Sequence, residues 1–217
     1  MAVSLMLPAW TCYAGVDLPA PPEIKTLHYK QITYYGSHGE PSTGIYDFDG
    51  NRSRVESHSE SNQFNITTVT LDVFDPAAGK TNRYSYGSAL VATKRICDGP
   101  MWDLKRFFTL YPGYDNRPSR EKRDGVEPSQ DAYVGTEMIG EVAAQLYESR
   151  HSDGTRIQRW LTKRGEQWIP VRWHPDGSIY TLEFSDVRIN EPIDEAVFQL
   201  PDHTFFEERP WCEDRVQ

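Results

Sequence analysis

The residues that could do acid, base or metal chemistry are scattered along this chain. Six histidines, His28, His38, His58, His151, His174 and His203, show no H-E-x-x-H or H-x-H spacing, the arrangements that bring two imidazoles onto one metal ion. Gly79-Lys80-Thr81 looks like the end of a phosphate-binding loop, but the first glycine of G-x-x-x-x-G-K-T would fall at position 74, which is Phe74, and the stretch reads as a hairpin turn. Asp47-Phe48-Asp49-Gly50-Asn51-Arg52-Ser53 offers several oxygen ligands, yet the acidic twelfth position of a calcium loop is His58. A solvated Asp-Gly turn accounts for it better. No G-x-S-x-G elbow is present, and Cys12, Cys97 and Cys212 have neither C-x-x-C spacing nor the context of a cysteine protease. The expectation is therefore no catalytic residue, no metal and no cofactor. A hydrolase assembled from residues distant in sequence is kept as a minor alternative.

What the sequence concentrates instead is aromatic area. Aromatic residues make up 12% of a chain whose mean hydropathy is -0.65, and each ring buries far more surface than an aliphatic side chain. Trp102, Phe107, Phe108, Trp160, Trp173, Tyr180 and Phe184, with Trp168 beside them, sit on one candidate helix and on the last strands. They either line a concavity that holds an apolar ligand or fill a core. The net charge of -9 and the pI near 5.2 argue against nucleic acid and against anionic membrane surfaces as partners, because phosphate binding needs clustered Lys and Arg. The basic stretch Arg117 to Arg123 is broken by Pro118 and Glu121 and reads as a solvated loop. No run of 18 apolar residues exists to span a membrane as a helix.

The elements that must position these rings are mostly strands. Ile169, Val171 and Trp173 alternate with Pro170, Arg172 and His174; Pro175 to Ser178 supplies a turn, and Tyr180, Leu182 and Phe184 resume the alternation. This is a hairpin with one apolar face. Beyond Asn190-Glu191-Pro192, Ile193, Val197 and Phe198 form a single helical turn ending at Leu200-Pro201, which would plug one end of a sheet. Earlier, a strand runs from Ile24 to Tyr35, a second from Gly44 to Phe48, and Asp49-Gly50 turns the chain back through Arg52 to Ser59. Strands over Thr68 to Val73, Asn82 to Tyr86 and Ala89 to Ile96 continue the meander. Asp98-Gly99-Pro100 is a helix start signal, and Leu104, Phe107, Phe108 and Tyr111 lie on one helical face that ends at Pro112-Gly113. Tyr114 to Gln130 reads as a long exposed loop. Between Tyr133 and Tyr147 the residues Met138, Val142 and Leu146 keep helical spacing, which leaves helix and strand both open. Ile157 to Leu161 is a strand turned by Lys163 to Glu166 toward Trp168.

The C-terminal hairpin, with Trp168-x-Pro170-x-Arg172, the glycine turn, Phe184-Ser185-Asp186 and then Asn190-x-Pro192-Ile193-Asp194-x-x-x-Phe198-x-x-Pro201, resembles that of LolA-like and LolB-like lipoprotein carriers. Ependymin-related proteins and the N-terminal domains of some eukaryotic papain-like proteases look similar in the same way. The resemblance implies a mainly β (α+β) fold: a curved antiparallel sheet or incomplete β-barrel with one or two helices covering the concave side. It also implies a strand around Gly140 to Tyr147. Residues 1–217 then read as one such domain with an extended N-terminal arm (1–22) and a C-terminal tail (202–217). The arginine beside a proline that latches the lid of the bacterial carriers has no counterpart in Gly50-Asn51-Arg52-Ser53-Arg54.

The expected function is a secreted, non-enzymatic protein that holds a lipid or other hydrophobic ligand in the concavity, with no particular protein partner implied. The alternative is an interaction or pro-domain-like module that escorts a protease and has a filled core. Asn51-Arg52-Ser53 and Asn65-Ile66-Thr67 fit the N-glycosylation pattern. Together with one disulfide from three cysteines, they favour a eukaryotic secretory compartment over the cytosol. The apolar start, Met1 to Pro8, is too short for a complete signal peptide, and Trp10 argues against a lipid anchor at Cys12.

Overall fold

A computed structural model describes residues 18–36, 40–61, 64–88, 90–102, 104–114, 130–150 and 154–209. The described chain forms strands β1 (Leu27–Tyr35), β2 (Ser42–Phe48), β3 (Arg52–Ser61), β4 (Phe64–Asp75), β5 (Lys80–Gly87) and β6 (Leu90–Asp98). A short helix α1 (Lys105–Phe108) comes next. Strands β7 (Gln130–Ile139), β8 (Val142–Arg150), β9 (Arg156–Arg164), β10 (Gln167–Pro175) and β11 (Tyr180–Ile189), a 3-10 turn (Glu195–Phe198) and β12 (Glu207–Arg209) follow. All twelve strands lie in one sheet ordered β12-β6-β5-β4-β3-β2-β1-β11-β10-β9-β8-β7. The sheet is curved, open and mainly antiparallel, as the sequence pattern and the resemblance predict, and it does not close into a barrel.

Apart from β12, which runs parallel to β6, each half of the sheet is a meander of hairpins, the connection that antiparallel strands allow at least cost in loop length. The halves join where β1 pairs with β11, Gln31 facing Phe184 and Thr33 facing Leu182. Thus the first and the eleventh strand meet in the middle of the sheet. Glycine is required at position 87, in a bulge between β5 and β6, where a Cβ would stand 2.0 Å from the Thr67 carbonyl oxygen. Gly50 takes φ +91 in the Asp-Gly turn between β2 and β3, a conformation that glycine adopts without steric cost.

The main core lies between the concave face and α1. It holds Leu27, Phe48, Phe107, Leu110, Tyr111, Tyr147, Leu161, Phe184, Val187 and Ile189. A smaller cluster of Ala144, Leu146, Trp160 and Val171 packs on the opposite face. The period of two explains the split, since Trp160 and Leu161, or Leu146 and Tyr147, are neighbours in sequence and point to opposite faces. A bulge between Pro170 and Arg172 interrupts the alternation of β10, so Ile169 and Val171 join different clusters.

One local expectation needs correction, and one open choice is settled as the strand that the resemblance implies. The helix is one α turn and not the span from Pro100 to Pro112: its N-cap is Leu104, without a side-chain cap. Asp98 ends β6 and pairs with Lys80, and Gly99 at φ +68 breaks the path before a helix can start there. After Phe108 the chain tightens into i to i+3 bonds, Leu110 N–H to the Phe107 carbonyl at 3.1 Å and Tyr111 N–H to the Phe108 carbonyl at 3.0 Å, which still carries Leu110 and Tyr111 into the core. The segment with helical spacing is a hairpin, β7 and β8, turning at Gly140 and Glu141. Met138 and Val142 are exposed while Ala144 and Leu146 alternate inward, so the helical period was coincidental. Cys12, Cys212, Trp211, the Tyr114–Gln130 loop apart from its two end residues, and most of the N-terminal arm lie outside the described residues.

The C-terminal hook forms its helical turn as a 3-10 turn and contacts β3. Asp194 caps the 3-10 turn by accepting from Ala196 N–H at 2.9 Å. Arg52 on β3 pairs with Glu195 and Asp49 and stacks over the Phe198 ring, 4.4 Å from its centroid. Asn190, at φ 60, accepts from Lys25 N–H at 2.7 Å and donates to the Glu23 carbonyl at 2.8 Å. One side chain thereby fixes the entry to β1 against the exit from β11.

Candidate functional site

The concave side is filled at one end and open at the other. Next to α1 it continues as an open groove of about 550 Å³ between β1, β2, β3, β10 and β11. On β1 the residues Tyr29, Gln31, Thr33 and Tyr35 line it in strict alternation; six residue steps of ~3.3 Å give a trough roughly 20 Å long. Across from them, Leu182 and Phe184 on β11 and Trp173 on β10 form an apolar wall, and Phe107 and Leu110 close the end under α1. Tyr29 joins these parts, stacked on Tyr46 at 4.5 Å and tilted against Phe107 at 5.5 Å and Phe184 at 5.9 Å. Gln31, Thr33, Ser42, Thr43 and Ser57 make the opposite side polar.

Of the seven rings singled out in the sequence, Phe107, Trp173, Tyr180 and Phe184 come together in this groove. Trp173 and Tyr180 face each other at 5.8 Å. The other three do not line it. Trp102 packs on Phe48 and Phe74, with centroids 5.6 and 5.9 Å away. Phe108 turns toward Tyr114 at 5.3 Å. Trp160 belongs to the opposite face, where Arg172 lies over its ring and its indole N–H donates to Glu137 at 2.8 Å. Trp168 meets Tyr147 edge-on, and its carbonyl accepts from the Tyr111 hydroxyl at 2.8 Å.

Helix α1 is fastened to the sheet. Arg159, 5% exposed, donates through Nε to the Thr109 carbonyl at 2.8 Å and also contacts Ser149 and Asp131. Asp131 accepts from the Gly113 N–H at 2.7 Å. Opening α1 as a lid would strand these groups, and an unpaired buried charge is costly; the helix acts as a fixed end wall. The Trp173 Nε1–H is buried without a partner among the described residues, an orphan donor in the wall of the groove.

The sequence pointed to none of three polar features. Arg106 on α1 lines the groove beside Phe107; its place next to two phenylalanines on a helical turn was the available signal. Burial pushes the Tyr29 hydroxyl far above the ordinary tyrosine range, helped by Tyr46 and opposed by Arg106; burial likewise raises Tyr46. Both remain neutral hydrogen-bond donors at every physiological pH. On the opposite face, His28 is held between Asp47 at 2.6 Å and Asp186 at 3.2 Å, with Lys30 and Arg188 against Asp186. Both ring nitrogens are thus engaged by carboxylates on this face. Among the described residues no group of three His, Cys, Asp or Glu could hold a metal ion, and no helix is long and apolar enough to cross a membrane.

No known protein family matches the chain, and no curated protein matches it in sequence. Solved structures similar to it include an uncharacterized conserved protein from Thermus thermophilus, 10% identical, covering 85% of this chain and 91% of that one with a TM-score of 0.47. A DUF1329 family protein from Desulfovibrio piger is 10% identical and covers 81% and 90% at a TM-score of 0.34. PNGF-II is 10% identical over 85% of this chain but 31% of its own, also at 0.34. At these values none of them assigns a family or an activity to the chain.

Proposed function

We propose that this protein binds an apolar chain, such as a lipid acyl group, in the groove between β1 and β11, without catalysing a reaction on it. The groove itself supports the reading: a volume of about 550 Å³ falls within the ordinary range of small-ligand sites, roughly 300–1,000 Å³, and one wall is continuous apolar surface. Each buried methylene contributes about 0.8 kcal/mol, so ten methylenes half covered would give about 4 kcal/mol before the head group is counted. The C-terminal resemblance to LolA-like carriers agrees with this use of the fold.

The compartment that fits is the secretory lumen or the outside of a eukaryotic cell. Asn51 and Asn65 are exposed, and a buried, disulfide-bonded Cys97 suits an oxidising environment. A second reading, a protein-docking module, draws on the exposed Val91 and Ile96 of β6 and Val134 and Met138 of the edge strand β7.

Native mass spectrometry of the protein from a eukaryotic secretory host, followed by organic extraction, tests the first reading. One-to-one adducts of an extractable apolar molecule, lost in Trp173→Asp that still folds, are the expected result. A clean apo mass together with no uptake of a fluorescent fatty acid would remove the carrier reading.

A further inference from the structure

The groove is electrostatically unlike the molecule around it. The chain carries 32 Asp and Glu against 23 Lys and Arg, yet among the described residues no carboxylate lines the groove, whereas Arg106 does. Arg106 is exposed and has no ion-pair partner among the described residues, although acids clamp Arg52, Arg54, Arg83 and Arg172 elsewhere on the sheet. The other basic side chain on the lining, His58, is occupied by Thr67 at 3.0 Å and Glu56 at 2.9 Å. Beside Arg106 stand Tyr29 and Tyr46, whose neutral hydroxyls are donors without an acceptor among the described residues. An unpaired guanidinium with phenolic donors next to an apolar trough, in an acidic protein, is the donor set for an oxyanion attached to a greasy chain.

We propose that the ligand of this groove carries an anionic head group, carboxylate or phosphate ester, that Arg106 receives while the chain lies along Phe107, Trp173, Leu182 and Phe184. The proposal rests on the groove being a binding site and adds the class of molecule it selects. Overall negative charge repels such a ligand at long range, so selection has to come from the local cation, which acts within about a Debye length of 8 Å at physiological salt.

The test compares dodecanoate, dodecyl phosphate and neutral dodecanol, each below its micellar concentration, by calorimetric titration against the wild type, Arg106→Gln and Arg106→Lys. The wild type is expected to bind at least one of the two anions about tenfold more tightly than dodecanol, the value of one charge-assisted contact. Which anion is preferred separates a fatty acid from a phospholipid source. Arg106→Gln should bring that anion to the level of dodecanol and leave dodecanol unchanged; Arg106→Lys should keep part of the preference. If dodecanol binds as well as both anions, or if the preference survives Arg106→Gln, the proposal is overturned while the groove stands. If none of the three binds, the groove reading falls and the head-group proposal with it.

Discussion

Leu182→Asp separates a ligand groove from a merely imperfect core. Leu182 lies on β11 opposite Thr33 and Trp173, half-buried, in the apolar wall of the groove. A fully buried leucine is worth about 1.5–3 kcal/mol, so losing a half-covered one should cost the free protein about 1–2 kcal/mol. The new carboxylate faces the open trough and stays hydrated. An apolar ligand would cover that carboxylate and lose the leucine contact, a penalty of about 3 kcal/mol, or roughly a hundredfold in Kd. The assay pairs urea denaturation with titration of a fluorescent fatty acid. Val91→Asp on β6, at a residue 68% exposed, serves as the control and should change neither quantity. Probe affinity unchanged in Leu182→Asp, or weakened equally by Val91→Asp, would refute the assignment of the groove.

Three further outcomes follow from particular contacts. Asp72, 3% exposed, holds Arg83 through two bonds of 2.8 Å; Asp72→Ala should destabilise by about 3 kcal/mol in urea melts, whereas Lys80→Ala, whose partner Asp98 is exposed, should stay within about 0.5 kcal/mol. Partial burial disfavours the ionised Asp186, but Arg188, His28 and Lys30 together hold its carboxyl below the usual range. Its contribution is therefore complete above the unfolded aspartate value of about 3.9 and is lost as pH falls through the lower folded value. Asp186→Asn, tolerated at φ 50, should accordingly lower the urea midpoint at pH 6 and leave it equal to wild type once pH has fallen well below that lowered folded value. Finally, β12 runs parallel to β6 with Arg209 opposite Arg95, two residues before the disulfide-bonded Cys97, and Cys212 follows Arg209 by three residues in the sequence. Peptide mapping should find Cys97 joined to Cys212, not Cys12, and reduction should cost about 4–5 kcal/mol, as expected for a closed loop on the order of 100 residues.

Much of the sheet was legible because its hairpins announce themselves locally. Asp49-Gly50, Pro175 to Ser178 and the alternation of Tyr180, Leu182 and Phe184 each specify a turn or a face within a few residues. The helix was less legible: Leu104, Phe107, Phe108 and Tyr111 keep their spacing through an α turn that tightens at once, and the pattern predicts which residues are buried but not how far the helix extends. Met138, Val142 and Leu146 matched a helical period by chance: Val142 and Leu146 share a face of β8, as residues four apart on a strand do, while Met138 lies across the turn on β7 opposite Ala143. The site was half visible. Rings on β10, β11 and α1 were foreseeable as a group, but the placement of Trp160 depends on which face each residue of β9 takes, and one residue of register inverts that. The role of Tyr29, Thr33 and Ser57 depends on β1 pairing with β11 across more than half the chain, and no local pattern encodes that contact. Arg106 stands out only once the described lining residues are known and no acid is found among them.

The most direct measurement is the shift of the tryptophan indole N–H signals in nitrogen-15 NMR spectra during titration with dodecanoate. The chain has six tryptophans, and Trp173→Phe and Trp160→Phe assign the two that matter. Binding in the groove predicts a saturable shift of the Trp173 signal, now an unpaired donor, with Trp160 on the opposite face unmoved. An unchanged Trp173 signal, or one that moves only together with Trp160, would contradict the account.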